Sequence, residues 1–312
     1  MRDVVDWFDG ASRVLFVHAH PDDETISTGG TLAGLAATGR SPLLVTLTRG
    51  ERGEVVPGPF SALQGTPGLA AHRETELAAA LFMLGVQDHA FLGNPPARAA
   101  GLDAKVYEDS GMEWGSDGWA TAAADAPDTA LTRAPAVEAL NDLLALADEW
   151  GAEAIVSYGA RGGYGHPDHV FAHRAARAVA HGLELPFWEI VAGADAGAGA
   201  GARPAAEVVP GPGSDADGTD AADADAADTT APDTAAPVND GVDGLESHDV
   251  APWLDRKVAA LRSHATQFTV EAASDRAGSA ESLGEIVHVG GQRQPIDRVE
   301  SFRRVGSGAA VG

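Results

Sequence analysis

The chain contains no cysteine. That excludes disulfides, thiolate metal sites and cysteine nucleophiles, and leaves histidine and carboxylate as the only good ligands for a transition metal. Lysine is nearly absent as well. Of 21 basic residues only Lys105 and Lys257 are lysine, and 46 acidic residues bring the net charge to −25. So negative a chain disfavours DNA, RNA and anionic lipid as partners and favours a neutral or small-molecule substrate. A long hydrophobic run is missing too. The N-terminal MRDVVDWFDG carries three aspartates ahead of a short apolar stretch, which fits neither a signal peptide nor a membrane span, so the expected location is cytoplasmic. No GxSxG elbow or Walker A loop is present, and the Gly197, Gly199, Gly201 repeat lies in low-complexity sequence rather than at a strand-to-helix junction.

What is present is an alternation of short apolar runs and amphipathic stretches. A length of 312 residues suits one large domain or two, at roughly 100 to 200 residues each, and a single α/β domain with an appendage fits best. Arg13 to His18 reads as a buried strand, followed by a polar turn and a helix over Ile26 to Thr38. Leu43 to Leu47 reads as a second strand, Glu74 to Leu84 as a helix stopped by Gly85, and Ala90 to Leu92 as a short strand. Ala136 to Trp150 is an amphipathic helix, Ala154 to Tyr158 a buried strand, Asp168 to His181 a helix and Pro186 to Val191 a strand. This order implies a Rossmann-like, mostly parallel sheet flanked by helices, a class that binds ligands at the carboxyl ends of its strands. Residues 94 to 128, rich in Gly, Pro, Asp and Ala with isolated aromatics, read as a long functional loop.

From Ala192 to Gly244 there are four valines and no Leu, Ile, Phe, Tyr or Trp. Such a stretch cannot bury enough apolar area to offset the entropy of ordering, so disorder is expected, with a solvated spacer as its plainest role. It carries −10 of the total −25, which leaves −15 on the rest. The expected organisation is a catalytic α/β core over 1–191, an acidic insert over 192–249, and a small C-terminal α+β extension over 250–312 that completes the fold. In that extension Trp253 to Ala265 reads as a helix, and Glu285 to Val289 and Arg298 to Arg304 as strands. The final Gly-rich residues are expected to fray.

Two short clusters, His20-Pro21-Asp22-Asp23 and His166-Pro167-Asp168-His169, each follow an apolar run and so fall at strand ends. Catalytic zinc takes three protein ligands and leaves a position for water, whose pKa it lowers to about 7. His20, Asp23 and His169 supply two imidazoles and a carboxylate. Asp22, next to a ligand but free of the ion, is placed to accept the water's proton. His166 could act as general acid or oxyanion stabiliser, and Asp168 could hold it protonated. Either cluster alone could instead be a capped strand-to-helix turn stiffened by proline; the pair points to one metal site. His169 and His173 share the i, i+4 spacing of helical zinc ligands, but no HExxH pattern follows, so His173 is expected behind the ligands or at the surface. His18 belongs to the strand and is expected to be structural. His72, His89, His181, His248, His264 and His288 have no acidic-cluster context and stay unassigned.

The segments A-H-P-D-D-E at 19–24 and G-G-Y-G-H-P-D-H at 162–169 resemble the LmbE/PIG-L family of zinc-dependent N-deacetylases. Gly50-Glu51-Arg52-Gly53-Glu54-Val55, His72-Arg73-Glu74-Thr75-Glu76-Leu77, Asp109-Ser110-Gly111-Met112 and Ala260 to Gln267 resemble the branch that deacetylates GlcNAc-inositol in mycothiol biosynthesis. The resemblance covers roughly 13–190 and 250–270. It implies one zinc per subunit on His20, Asp23 and His169, with Asp22 as general base and His166, oriented by Asp168, stabilising the oxyanion and protonating the leaving amine. It further implies that Tyr164 is a mobile residue polarising the amide carbonyl, and that Arg73 and Asp109, with Glu54 a weaker candidate, bind sugar and inositol hydroxyls. Without it, Arg73 could be an ion pair on a helix surface with Glu76 or Glu74, and Tyr164 a packing residue. Fe(II) could compete for a site of two histidines and a carboxylate. Gly165 and Met112 favour the deacetylase over a mycothiol S-conjugate amidase, while a non-catalytic sugar- or metal-binding relative would require a damaged catalytic set. Oligomeric state is not legible. The acidic insert and the extended loop from Asn94 to Glu108 depart from the family pattern.

Overall fold

The computed structural model describes residues 5–114, 119–191, 244–272 and 284–306. A seven-stranded sheet forms the centre, in the order β3-β2-β1-β6-β7-β12-β8. Its strands are β1 (Val14–His18), β2 (Leu43–Thr46), β3 (Asp88–Phe91), β6 (Ala154–Tyr158), β7 (Phe187–Val191), β8 (Leu245–Asp249) and β12 (Val299–Val305). β3, β2, β1, β6 and β7 are mutually parallel, while β12 pairs antiparallel with both β7 and β8. The helices are α1 (Asp23–Thr38), α2 (Gly68–Leu84), α3 (Ala136–Trp150), α4 (Gly162–Gly165), α5 (Pro167–Gly182) and α6 (Leu254–Leu261).

All five residues of β1 are buried because both faces of the sheet are covered. Side chains alternate across a strand, so Leu15 and Val17 enter one core with Leu143 and Leu146 of α3 and Ala172 and Ala176 of α5. Val14 and Phe16 enter the other, with Leu32 and Leu35 of α1, Leu77 and Leu84 of α2 and Ala260 of α6. Each fully buried Leu or Phe in these layers contributes about 1.5–3 kcal/mol of burial free energy. α1 approaches the C-terminal segment closely: a Cβ on Gly30 would lie 2.5 Å from Val250. There Lys257 and Glu300 form a buried pair at 2.7 Å, and the Glu300 carboxylate also accepts the N–H groups of Gly30 (2.9 Å) and Thr31 (2.8 Å).

The topology places the site. From β1 the chain winds outward one way through β2 and β3, and from β6 it winds the other way through β7. The loops after β1 and β6 therefore diverge at their carboxyl ends and leave a crevice between them, the switch point at which open α/β sheets bind ligands. The two histidine clusters occupy those two loops.

The parallel core, including the bounds of α3 and β6, matches the periodicity in the sequence. The differences lie in irregular sequence. Within 94–128 the chain forms a hairpin, β4 (Met112–Trp114) with β5 (Ala120–Ala122), and residues 115–118 lie outside the described set. The start of that stretch is tied to α3: Arg98 and the Tyr107 hydroxyl each donate to Asp142 at 2.8 Å, and Arg98 and Lys105 pair with Glu138. Tyr107 is fully buried. β8 lies within the expected insert, and Glu246 accepts the Phe8 N–H at 2.9 Å. Residues 192–243, on which the rest of that expectation falls, lie outside the described residues, as do residues 307–312. The expected helix Trp253 to Ala265 is a 3-10 turn at Ala251–Trp253 followed by the shorter α6. β9 (Phe268–Ala272), β10 (Gly284–His288) and β11 (Arg293–Pro295) form a separate antiparallel sheet. Among the described residues no helix is long and apolar enough to cross a membrane.

Candidate metal centre and active site

The chain leaves β1 through Ala19 and His20 and turns sharply at Asp22, whose φ of 104° lies in the left-handed region that non-glycine residues seldom adopt. That turn puts Asp23 at the start of α1, where the His20 main-chain N–H donates to Asp23 Oδ2 at 3.0 Å. From the other loop, His169 enters on the first turn of α5. His20 Nδ1 and Asp23 Oδ2 are 3.1 Å apart, His169 Nε2 is 3.3 Å from that oxygen, and the two ring nitrogens are 3.3 Å apart.

Ligands 2.0–2.1 Å from a tetrahedral ion stand about 3.3–3.4 Å from one another. The triangle therefore has the dimensions of three corners of such a site, so the donor set fits a metal ion. The far side of each imidazole is also arranged for ligation. His20 Nε2 faces Asp168 Oδ2 at 3.2 Å, and His169 Nδ1 faces the Gly162 carbonyl at 3.2 Å. An N–H donated to each acceptor leaves the opposite nitrogen bare toward the triangle. A wider group of buried ligand atoms from His20, His166 and His169 lies within 4.8 Å, as does one from His20, Asp109, His166 and Asp168. The Asp23 triangle is tighter and includes a carboxylate, which suits a dication better than three neutral rings.

The electrostatics agree. Burial lowers the affinity of His20 for a proton, but Asp109, Asp168 and Asp23 outweigh it and hold its pKa well above the usual value. Burial likewise works against ionised Asp23, and His169 and His20 overcome it, so its pKa lies well below the carboxylate range. A field that retains a proton here attracts a metal cation in its place.

Asp22 stands outside the triangle. Its Oδ1 is 3.2 Å from Arg73 Nη2, and burial, opposed by Arg73, raises its pKa to about 6. Arg73 is 2% exposed. It donates to the Gly50 carbonyl at 2.8 Å and to the Pro21 carbonyl. It is thus not a helix-surface pair with Glu74 or Glu76: it clamps Asp22 and the loop after β2.

His166 caps α5, its Nδ1 accepting the Asp168 N–H at 3.2 Å. A nitrogen that accepts carries no proton, so the neutral ring has its proton on Nε2. Burial, then the charges on His20 and His169, lower its pKa to about 2. The expected contact from the Asp168 carboxylate to His166 is therefore replaced by a main-chain one. The carboxylate serves His20 and also accepts the Ser110 N–H at 2.9 Å. Asp109 is 4% exposed; its Oδ1 lies 3.7 Å from His20 Nε2, and its own N–H donates to Glu51 at 2.9 Å. Tyr164 is 45% exposed, with its ring 5.3 Å from that of His169. Glu54 is exposed; Glu51, three residues earlier, is the acid that reaches Asp109.

Three residues here have no role assigned from the sequence. Tyr158, closing β6, donates to Asp23 Oδ2 at 2.7 Å, accepts the Ala19 N–H at 2.9 Å, and stacks on His169 at 4.2 Å with planes 8° apart. Glu24 accepts the Asp22 N–H at 2.9 Å and faces His264 Nε2 at 3.1 Å, which ties the strained turn to the segment after α6. Glu24 and His264 lie in the family-like segments 19–24 and 260–267, but no local pattern pairs side chains 240 residues apart. His173 is buried behind the His20–Asp23–His169 triangle, facing the Tyr158 carbonyl at 2.8 Å, and His18 is buried against Thr28 at 3.1 Å.

Comparison with known proteins gives a consistent picture. Residues 15–180 match the family described as PIG-L: GlcNAc-PI de-N-acetylase. The 1D-myo-inositol 2-acetamido-2-deoxy-alpha-D-glucopyranoside deacetylase of Saccharomonospora viridis is 36% identical, over 82% of this chain and 85% of its own. The protein of the same name from Actinosynnema mirum is 36% identical over 86% and 84%. That of Kineococcus radiotolerans is 44% identical over 54% of this chain. With it and a Nocardioides relative the match spans about half of the relative's length, 44% and 56%. Among solved structures, a deacetylase–teicoplanin complex superposes with a TM-score of 0.51 at 17% identity, covering 94% of this chain and 99% of that one, a likeness of fold.

Proposed function

Because this chain belongs to the PIG-L family, we propose that it is a zinc-dependent amide hydrolase that removes the N-acetyl group of 1D-myo-inositol 2-acetamido-2-deoxy-alpha-D-glucopyranoside. The products are acetate and glucosaminyl-inositol. The observation that carries the reading is the 3.1–3.3 Å triangle of His20, Asp23 and His169 with Asp22 beside it and uncommitted to it. The names of the relatives supply the substrate, and a neutral polyol suits a chain of net charge −25 because it needs hydrogen bonds rather than counter-charge.

His20, Asp23 and His169 would hold a zinc ion, which would supply a Lewis acid for the amide carbonyl and would lower the pKa of a water molecule to about 7; iron(II) would suit the same donors. Asp22 takes the proton as the water oxygen bonds to the carbonyl carbon. With a pKa near 6 it is ionised at neutral pH, yet acidic enough when protonated to return that proton to the nitrogen as the C–N bond breaks. On this reading Asp22 also delivers the proton that the family resemblance assigns to His166. A neutral His166 whose Nδ1 is occupied would become an imidazolate on giving up its Nε2 proton, so its role is to donate a hydrogen bond to the developing oxyanion. The Tyr164 phenol donates to the same oxygen. Asp109 accepts sugar hydroxyls, while Arg73 acts through the position of Asp22.

The test is acetate release by the zinc-loaded protein from this compound, beside a mycothiol S-conjugate. Preferential release from the first is expected. A strong preference for the conjugate would make the protein an amidase, and binding without release at full zinc occupancy would make it a sugar-binding protein.

A further inference from the structure

Two large aromatic side chains stand at the mouth of the site; Tyr164 enters the chemistry above through its phenol, and Trp114 has no role in it. Trp114 is 60% exposed and Tyr164 45%. Their ring centroids are 6.1 Å apart with planes tilted by 43°, and the Tyr164 ring is itself 5.3 Å from His169 and 6.1 Å from His166. The rings thus run outward in series from the metal-ligand imidazole to Tyr164 to Trp114.

Their placement is built into the fold. Trp114 follows four residues after Ser110, whose N–H bonds Asp168, and so hangs directly from the wall of the site. Its partner in the hairpin register is the buried Ala120. Trp119 and Ala120 press on the turn that carries Tyr164, for a Cβ on Gly165 would lie 3.1 Å from Trp119 and 3.3 Å from the Ala120 nitrogen. Arg161 lies over the Trp119 ring at 5.3 Å and straps the hairpin to the same turn.

We propose that Trp114 and Tyr164 form a stacking cleft for the second ring of the substrate, the polyhydroxylated ring attached to the N-acetylated sugar. This rests on the hydrolase reading above. Each centroid-to-centroid step is about the width of one sugar ring, so with the acetamide at His169 the Trp114 face meets the ring beyond the reacting sugar. The C–H hydrogens on the face of a polyol are polarised by the neighbouring oxygens and meet the negative face of an aromatic ring. Its hydroxyl edge is left for carboxylates such as Asp109 and Glu51.

The experiment compares kcat/KM for acetate release from the two-ring substrate and from N-acetylglucosamine in the wild type, Trp114→Ala and Trp114→Phe. It adds calorimetric affinity of the zinc-loaded proteins for glucosaminyl-inositol, which is not turned over. Trp114→Ala is expected to lower the two-ring to one-ring ratio about tenfold, equivalent to about 1.4 kcal/mol, through KM, and to weaken product binding by the same factor. Trp114→Phe should restore most of both. A ratio and an affinity within twofold of wild type overturn the cleft, as does a change in oligomeric state with the ratio intact, which would make the patch a protein interface. If the wild type hydrolyses neither compound but Trp114→Ala still loses tenfold in product affinity, the cleft stands and the hydrolase reading falls.

Discussion

Replacing Asp22 by Asn removes a single charge and changes almost nothing else. Asparagine tolerates the left-handed backbone region better than most residues, so a φ of 104° does not bar the substitution. The amide oxygen can still accept from Arg73 Nη2, which lies 3.2 Å from Oδ1, and Arg73 keeps the Gly50 and Pro21 carbonyls. Leaving a buried charge wholly unpaired costs about 3–5 kcal/mol; with those acceptors retained the loss should be about 1–2 kcal/mol. The chemical loss is larger. A positioned base contributes about 10²–10⁴-fold, so kcat for acetate release should fall by that factor. Because Asp22 is outside the triangle, the variant should still hold one zinc per chain. The assay is acetate release at saturating substrate, with metal content and thermal unfolding measured on the same preparation. Activity within tenfold of wild type at full zinc occupancy would refute Asp22 as the base, and loss of zinc in step with activity would make it a ligand.

Tyr158→Phe keeps the ring stacked on His169 but deletes the donor to Asp23, and groups that orient metal ligands typically carry 10–100-fold in affinity; chelator competition should show a loss in that range, and an unchanged affinity would contradict the role. Lys257→Met strands the Glu300 carboxylate, buried and paired at 2.7 Å, and should cost about 3–5 kcal/mol in urea unfolding; a cost below about 1 kcal/mol would show that the Gly30 and Thr31 N–H groups suffice. Burial lowers the pKa of His89 from 6.5 to about 4. Above pH 6.5 it is neutral folded or unfolded; between 6.5 and 4 only the unfolded chain takes the proton, so stability falls across that window and no further below it. His89→Gln should flatten part of that fall, and identical pH slopes would remove His89 as its source.

The parallel core and the convergence of His20, Asp23 and His169 were readable because each has a local signature. β1 and β6 are continuous apolar runs, α3 keeps one apolar face, and each cluster lies just past a strand end, where the switch point brings them together. Tyr158 was not readable, since a tyrosine ending a buried strand looks like packing until its hydroxyl is placed on Asp23. Arg73 and Asp168 meet other partners than expected, because sequence proximity suggests the neighbour and the fold supplies a group from another element: Asp22 for Arg73, His20 for Asp168. The β4–β5 hairpin and the anchoring of 98–107 escaped detection because three-residue strands and a buried Tyr107–Asp142 contact leave no periodicity. β8 was masked by the acidic stretch before it and is defined by its partner β12 rather than by its own composition.

Zinc stoichiometry across a set of single substitutions tests the central claim most directly. The wild type, Asp22→Asn and His166→Ala should each bind one zinc ion, whereas His20→Ala, Asp23→Ala and His169→Ala should lose it. Retention of zinc by Asp23→Ala together with its loss from His166→Ala would contradict the account and place the ion on the three histidines instead.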